Sequence, residues 1–111
     1  MSNDIGSIIN TFVENVEGIV GPSLSQLILY GSYARGDNTP ESDIDIMVLV
    51  NMDDDEIKNV RGEISDRAFD LIIQYGVDIS PIVINATHFN YWVDTLPFYH
   101  QVKSEGVVLN E

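Results

Sequence analysis

The sequence has no cysteine, few basic residues and no long apolar run. Without cysteine, disulfide bonds and thiolate metal sites are excluded, and a reducing compartment is expected. Only 5 Lys and Arg residues stand against 18 Asp and Glu residues, which gives a net charge of −13. Direct binding to nucleic acid is therefore not expected, because the protein's own charge would repel the phosphates.

Nothing in the sequence points to a membrane. Its start, Met1-Ser2-Asn3-Asp4, lacks the basic residues of a signal peptide. Polar residues interrupt the apolar pattern of residues 5–20, and no apolar run is long enough to cross a bilayer. We therefore expect a soluble protein of the cytoplasm. Its acidity permits a metal-bridged nucleotide or a basic protein partner, and it is equally consistent with a general role in solubility.

The length and composition fit one globular domain. The chain has 111 residues, of which 44% are hydrophobic, and we assign residues 1–111 to a single domain. Helical spacing of apolar residues predicts a helix over 5–20, capped by Asp4 and stopped at Gly21-Pro22. A long helix is predicted to begin in the acidic run 53–56, because negative charge favours a helix start, and to end at Gly76.

Three apolar runs predict the strands of a small sheet. Residues 26–30 and 44–50 are apolar nearly throughout, which is typical of buried strands, and the second is expected to be central. Residues 78–84 predict a third strand, placed at an edge because Pro81 cannot donate a ladder hydrogen bond.

The C-terminal third adds short elements. Thr87 is predicted to cap a short helix that Pro97 separates from another helix over 98–105, with a small strand over 107–109. Trp92, Phe98 and Tyr99 in these elements belong either to the core or to a partner-facing patch. The element order predicts an α/β (α+β) fold with a small sheet flanked by helices.

The segment from residue 31 to 45 carries the chemistry. Asp43 and Asp45 flank Ile44 at the start of the second strand, and side chains at i and i+2 share one face, about 7 Å apart. Carboxylates at that spacing can share divalent ions, and Mg²⁺ prefers carboxylate and phosphate oxygens. Alone, however, this pattern is more typical of two solvated aspartates at a loop-to-strand junction.

A glycine-serine turn before the aspartates favours the functional interpretation. Gly31 lets the backbone approach a phosphate closely and tolerates positive φ. Backbone N–H groups at a strand-to-helix turn face an anion, and the Ser32 hydroxyl adds a donor. Together with Asp43 and Asp45, this turn predicts a cradle for nucleotide phosphates opposite a metal site.

These motifs resemble a known signature. Gly31-Ser32 followed by Asp43-Ile44-Asp45 resembles the DNA polymerase β-like nucleotidyltransferase superfamily. The fuller string, Gly-Ser-Tyr-Ala-Arg-Gly-Asp with Ser-Asp-Ile-Asp, is similar to its minimal nucleotidyltransferases (MNT proteins), over nearly the whole chain. The resemblance implies a polymerase β-like nucleotidyltransferase fold with a small mixed sheet. It also implies transfer of a nucleoside monophosphate, with ATP as the expected donor, to an acceptor hydroxyl.

The resemblance also implies residue roles. Asp43 and Asp45 would be catalytic metal ligands, with two Mg²⁺ ions expected. The family carries a third carboxylate on a later strand, and Asp78 is the best match, as a metal ligand that takes the proton of the acceptor hydroxyl. Asp78 could instead be a turn residue after Gly76, and Asp70 on the second long helix is a weaker candidate for the third carboxylate.

Two further residues are predicted to bind the nucleotide. Arg35 would neutralise phosphate charge, because a guanidinium binds phosphate in a bidentate way. The alternative for Arg35 is a surface salt bridge with one of the many acids. Ser42 would either orient Asp43 or make a local capping hydrogen bond.

The acceptor is expected to lie on another molecule. Larger relatives carry an added helical domain for the acceptor, and this chain has no room for one. Minimal members are commonly paired with HEPN-domain toxins, which implies an antitoxin that adds AMP to its toxin. Two alternatives stay open: a binding module that neutralises a partner by contact alone, and a homo-oligomeric enzyme that modifies an antibiotic-like small molecule.

Overall fold

A computed structural model describes residues 4–110, and helix α1 (Ile5–Val20) opens the fold as predicted. The Asp4 side chain caps this helix by accepting a hydrogen bond from the Gly6 backbone N–H. Gly21 ends the helix at a φ of 64°. The apolar stripe of α1 is buried, with Phe12 and Val16 completely inaccessible to solvent.

Within residues 4–110, four strands form one mixed sheet, which confirms the predicted fold class. They are β1 (Leu24–Tyr30), β2 (Ile44–Val50), β3 (Ile79–Asn85) and β4 (Val107–Val108). The strand order is β3-β2-β1-β4, so β2 is central and β3 lies at an edge, as predicted. Strand β1 is antiparallel to β2 and β4, whereas β2 and β3 are parallel. The third strand was predicted to begin at Asp78, but β3 begins at Ile79, so Asp78 lies one residue ahead of it.

Helices cover the two faces of the sheet unequally. The other α-helices of the described residues are α2 (Ser32–Arg35), α3 (Asp54–Tyr75), α4 (Ala86–Trp92) and α5 (Pro97–Glu105). Helices α1 and α3 pack with Ile44, Ile46 and Val48 on one face. Helices α4 and α5 pack on the other face against Met47 and Leu49, in a smaller cluster. Within residues 4–110, no helix combines the length and apolar composition that a bilayer span requires.

The predicted start of α4 at Thr87 is wrong. The cap is Asn85, whose side-chain oxygen accepts a hydrogen bond from the His88 N–H at 2.8 Å. Strand β3 runs directly into α4, so the helix begins before Thr87 can act as its cap. The Asn85 amide also donates to the Met52 carbonyl at 2.6 Å, which ties this junction to the end of β2.

The start of α3 gives a prediction about stability. Asp53 accepts from the Glu56 N–H at 2.9 Å, and the Glu56 side chain accepts from the Asp53 N–H at 3.2 Å. We expect Asp53→Ala to lower the free energy of unfolding by about 0.5–2 kcal/mol, because it removes this capping box. Urea denaturation measures the loss. Asp55→Ala is the control, since it removes a first-turn charge without the cap, and an equal loss in both variants would contradict the assignment.

Candidate active site

The predicted residues lie together where β1 ends and where β2 and β3 begin. Tyr30, the last residue of β1, pairs with Asp45 near the start of β2. The Asp78 carbonyl accepts a hydrogen bond from the Ile44 N–H at 2.9 Å, just before β3 begins. Asp43 lies on the other side of Ile44 and precedes β2 directly. Antiparallel and parallel pairing therefore place all three predicted carboxylates together.

Gly31 lies directly against the Asp45 carboxylate. It has φ 78° and ψ −154°, a conformation that is essentially restricted to glycine. A Cβ atom built at this position would overlap the Asp45 carboxylate oxygen Oδ2. The Gly31 carbonyl accepts hydrogen bonds from the Ala34 and Arg35 N–H groups, both at 3.1 Å, and so starts α2 at Ser32. The turn and the carboxylate are thus built as one unit.

The three carboxyl groups influence one another electrostatically. Partial burial raises the pKa of Asp45, the charge of Asp43 raises it further, and Arg35 opposes the shift. The pKa of Asp78 is raised by desolvation, by the charge of Asp43 and by a hydrogen bond between these two carboxyl groups. Asp43 is therefore the common neighbour of the other two, and negative charge is concentrated where a cation would relieve it.

The donor set fits Mg²⁺ in its chemistry. All three groups offer carboxylate oxygens, which Mg²⁺ prefers, and it usually completes its shell with water and substrate phosphate. Within residues 4–110, no group of three or more acidic or histidine side chains is already arranged around one ion position. Asp43, Asp45 and Asp78 are therefore coupled in pairs rather than closed into a cage.

Arg35 makes surface salt bridges, which were the predicted alternative to phosphate binding. Its Nε lies 3.2 Å from Asp37 Oδ2, and its Nη1 lies 3.4 Å from Glu105 Oε1. Arg35 also lines a cavity of about 170 Å³ together with Gly31 and Tyr30. Exposed ion pairs of this kind contribute little to stability, so a phosphate in the cavity can compete for the guanidinium.

Ser42 makes a local hydrogen bond. Its hydroxyl oxygen accepts from the Thr39 N–H at 2.8 Å and so closes the loop ahead of β2. Ser42 also lines a second hollow, of about 460 Å³, with Asp43 and Asp78. The candidate site is thus flanked by two hollows, one beside the Gly31 turn and Arg35 and the other beside Asp43 and Asp78.

Two residues of the site escaped the sequence-based prediction. Tyr30 was assigned only to a buried strand, yet burial and the charge of Asp45 raise its pKa to about 12. Counting the antiparallel register back from Asp45 would have found it. Glu105 reaches Arg35 from α5, 70 positions along the chain, and no local pattern points to such a contact.

The other residues considered in the sequence fall outside this cluster. Asp70 pairs with Arg67 at 3.1 Å on the exposed side of α3. The three C-terminal aromatic residues differ in burial. Tyr99 is 9% exposed and belongs to the core, whereas Trp92 and Phe98 are 37% and 45% exposed. The Phe98 ring packs edge-on against Tyr30, with centroids 5.6 Å apart.

Comparisons with known proteins identify the family of this chain. Residues 9–100 match the nucleotidyltransferase domain family. Two proteins of Methanocaldococcus jannaschii, each named "putative protein adenylyltransferase", are similar over nearly their full lengths. The first is 37% identical over 101 residues, which span 91% of this chain and 93% of the relative. The second is 33% identical over 98 residues, which span 86% of this chain and 95% of the relative.

Solved structures share the fold. A crystal structure of a "putative nucleotidyltransferase" from Sulfolobus solfataricus gives a TM-score of 0.53 at 24% identity, covering 92% of this chain and 76% of that chain. A variant of the MntA-HpeT toxin-antitoxin gives a TM-score of 0.54 at 19% identity, covering 89% of this chain and 69% of that chain. A toxin-antitoxin crystallised with AMP-PNP gives a TM-score of 0.52 at 20% identity, covering 88% and 69%. With the family match over most of its length and the predicted mixed sheet in place, the chain belongs to the nucleotidyltransferase domain family.

Proposed function

We propose that this protein uses Mg²⁺ to transfer AMP from ATP to a hydroxyl group on a partner protein, and that it acts in this way as an antitoxin. The observation that carries the proposal is the direct contact of Gly31 with Asp45, beside two further carboxyl groups at the same sheet edge. Family membership supports nucleotidyl transfer, and the names of the M. jannaschii relatives support a protein acceptor. The MntA-HpeT likeness and the motif resemblance support a toxin, of the HEPN type, as that acceptor.

The Gly31 turn would bind the triphosphate. Backbone N–H groups at this strand-to-helix turn would face the phosphates, and the Ser32 hydroxyl adds a donor. Arg35 would exchange its exposed pairs with Asp37 and Glu105 for the phosphate oxygens, which it can bind in a bidentate way. Two Mg²⁺ ions held by the carboxylates would neutralise phosphate charge and polarise the α-phosphate.

Asp45 and Asp78 would have different roles in the reaction, because they lie at different positions in the site. Asp45 lies against Gly31 and would hold metal beside the phosphate-binding turn. The acceptor oxygen attacks the α-phosphorus, the bond to the β-phosphate oxygen breaks, and pyrophosphate leaves. The hydroxyl proton would pass to Asp78, whose carboxyl group lies beside Asp43 just ahead of β3.

The open surface near Asp78 fits an acceptor delivered by another molecule. Asp43, Asp78 and Ser80 are exposed where β2 and β3 begin. A contact-only module would not require three coupled carboxylates at one point. The hollow of about 460 Å³ beside Asp78 is also large enough for a small-molecule acceptor, which label transfer distinguishes from a protein acceptor.

Binding of the nucleotide gives a second prediction. We expect Mg²⁺ with ATP to raise the melting temperature, because a ligand that binds only the folded state stabilises it by about 2.7 kcal/mol at a hundredfold excess over Kd. Differential scanning calorimetry measures the shift, with ATP plus EDTA as the control. Equal melting temperatures with and without Mg²⁺ would contradict a metal-bridged nucleotide.

The proposed function is tested by label transfer. Extract of the source organism is incubated with Mg²⁺, α-labelled ATP and either this protein or its Asp43→Asn/Asp45→Asn variant. A labelled protein band that requires both aspartates is the expected result. Label found only in small molecules would favour the small-molecule enzyme, and no label with either protein would favour the contact-only module.

A further inference from the structure

Helix α3 carries an apolar surface outside the buried core. Phe69 and Ile73 are 62% and 72% exposed, and their spacing of four residues places them on one side of the helix. We call these two residues the α3 apolar surface. Large apolar side chains grouped on an otherwise charged surface are typical of sites that bind another protein.

This surface adjoins the candidate active site. Phe69 lines a cavity of about 260 Å³ between α3 and the edge strand, together with Pro81 and Asp78. Asp78 also lines the larger hollow that contains Asp43. If a side chain of a partner protein entered the cavity beside Phe69, the partner residues next to it would therefore lie at Asp78. Asp78 is the carboxylate that we propose accepts the hydroxyl proton.

The adjacent sheet edge is poorly suited to strand addition. Ile44 donates to the Asp78 carbonyl, so in a parallel pair the odd-numbered residues of β3 turn their backbone groups outward. Pro81 has no N–H to offer there, and the Val83 carbonyl already accepts from Arg61 Nη2 at 3.4 Å. A partner at this edge must consequently bind through side chains rather than by extending the sheet.

Charge indicates what kind of partner fits. Asp66 and Asp70 lie on α3 beside Phe69 and are exposed, and Asp70 pairs with Arg67. The net charge of −13 means that a second copy of this chain would be repelled, because each copy brings the same excess. A basic protein would be attracted and steered to the surface, and its apolar side chains would cover Phe69 and Ile73.

We propose that the α3 apolar surface docks the basic protein that carries the acceptor hydroxyl, and so delivers this hydroxyl to Asp78. The inference rests on the proposed function, since it requires a protein acceptor. It adds the location of the interface, the chemistry of the partner and the direction from which the hydroxyl reaches the site.

The test compares two variants with the wild-type protein. Phe69→Gln/Ile73→Gln removes the apolar side chains without adding charge, and glutamine favours helix. Tyr91→Gln is the matched control, because Tyr91 is 75% exposed but lies on α4. The assay measures protein labelling from α-labelled ATP and Mg²⁺ in extract of the source organism. We expect the double variant to label at least about tenfold more slowly, and Tyr91→Gln to match the wild type.

Additional measurements separate the outcomes. The melting-temperature shift with Mg²⁺ and ATP should be the same in all three proteins, and a lost shift in the double variant would overturn the docking role. Wild-type labelling rates in the double variant, or loss only in Tyr91→Gln, would overturn the inference while leaving the proposed function intact. A dimer that the double substitution dissociates in sedimentation would identify a second copy as the occupant instead. Absence of any labelled protein would overturn the proposed function and this inference together.

Discussion

Asp43→Asn/Asp45→Asn is expected to abolish nucleotidyl transfer and, at the same time, to stabilise the metal-free protein. Loss of the metal ligands should cost several kcal/mol of transition-state stabilisation, which corresponds to about 10³-fold or more in rate. The stability change has the opposite sign because burial and the charge of Asp43 raise the pKa of Asp45 in the folded state. Above that pKa the ionised carboxylate destabilises the fold, and a neutral asparagine removes the cost.

Two measurements check this prediction. Single-turnover label transfer gives the rate, and thermal unfolding in EDTA at neutral pH gives the stability. Glu14→Gln/Asp94→Asn removes two exposed negative charges outside the site and should leave both quantities nearly unchanged. A metal-free double variant less stable than the wild type would show that the aspartates have a structural role.

Gly31→Ala should be almost as damaging, although it adds a single methyl group. The new Cβ would overlap Asp45 Oδ2, and the backbone would be held at φ 78°, where L-residues are strained. We expect the strain to cost about 1–3 kcal/mol of stability. Displacement of Asp45 by roughly 1 Å should lower the transfer rate by about 10²-fold.

Gly36→Ala is the control for backbone strain. Gly36 has a similar φ of 81°, but no atom lies within 4 Å of the position that a Cβ would take. It should lose stability, by about 1–2 kcal/mol, and keep its activity. Urea denaturation and pyrophosphate release measure the two effects. Equal loss of activity in both alanine variants would mean that distortion of α2, rather than movement of Asp45, is responsible.

The sequence predicted the elements in which one strong pattern dominates. The apolar stripe of α1, the acidic start of α3 and the apolar run of β2 each specify a single structure, and all three were found. The helix cap at Asn85 was missed because Asn85 and Thr87 are both good caps. The choice between them depends on where β3 ends, and that is decided by pairing with β2.

The site was predictable only as far as its motif extends. The motif contains Gly31 and Asp45, but their contact, like that of Tyr30 with Asp45, depends on the register between β1 and β2. Glu105 reaches Arg35 only through the packing of α5. That last contact joins distant parts of the chain, and no periodicity along the sequence predicts it.

The position of the transferred phosphate tests the central claim most directly. The protein, Mg²⁺ and extract of the source organism are incubated with ATP labelled at either the α- or the γ-phosphate. We predict that the α-label appears on a protein in a reaction that requires Asp43 and Asp45, and that the γ-label leaves with pyrophosphate. Transfer of the γ-label to the protein, or α-label transfer that the Asp43→Asn/Asp45→Asn variant retains, would contradict nucleotidyl transfer at this site.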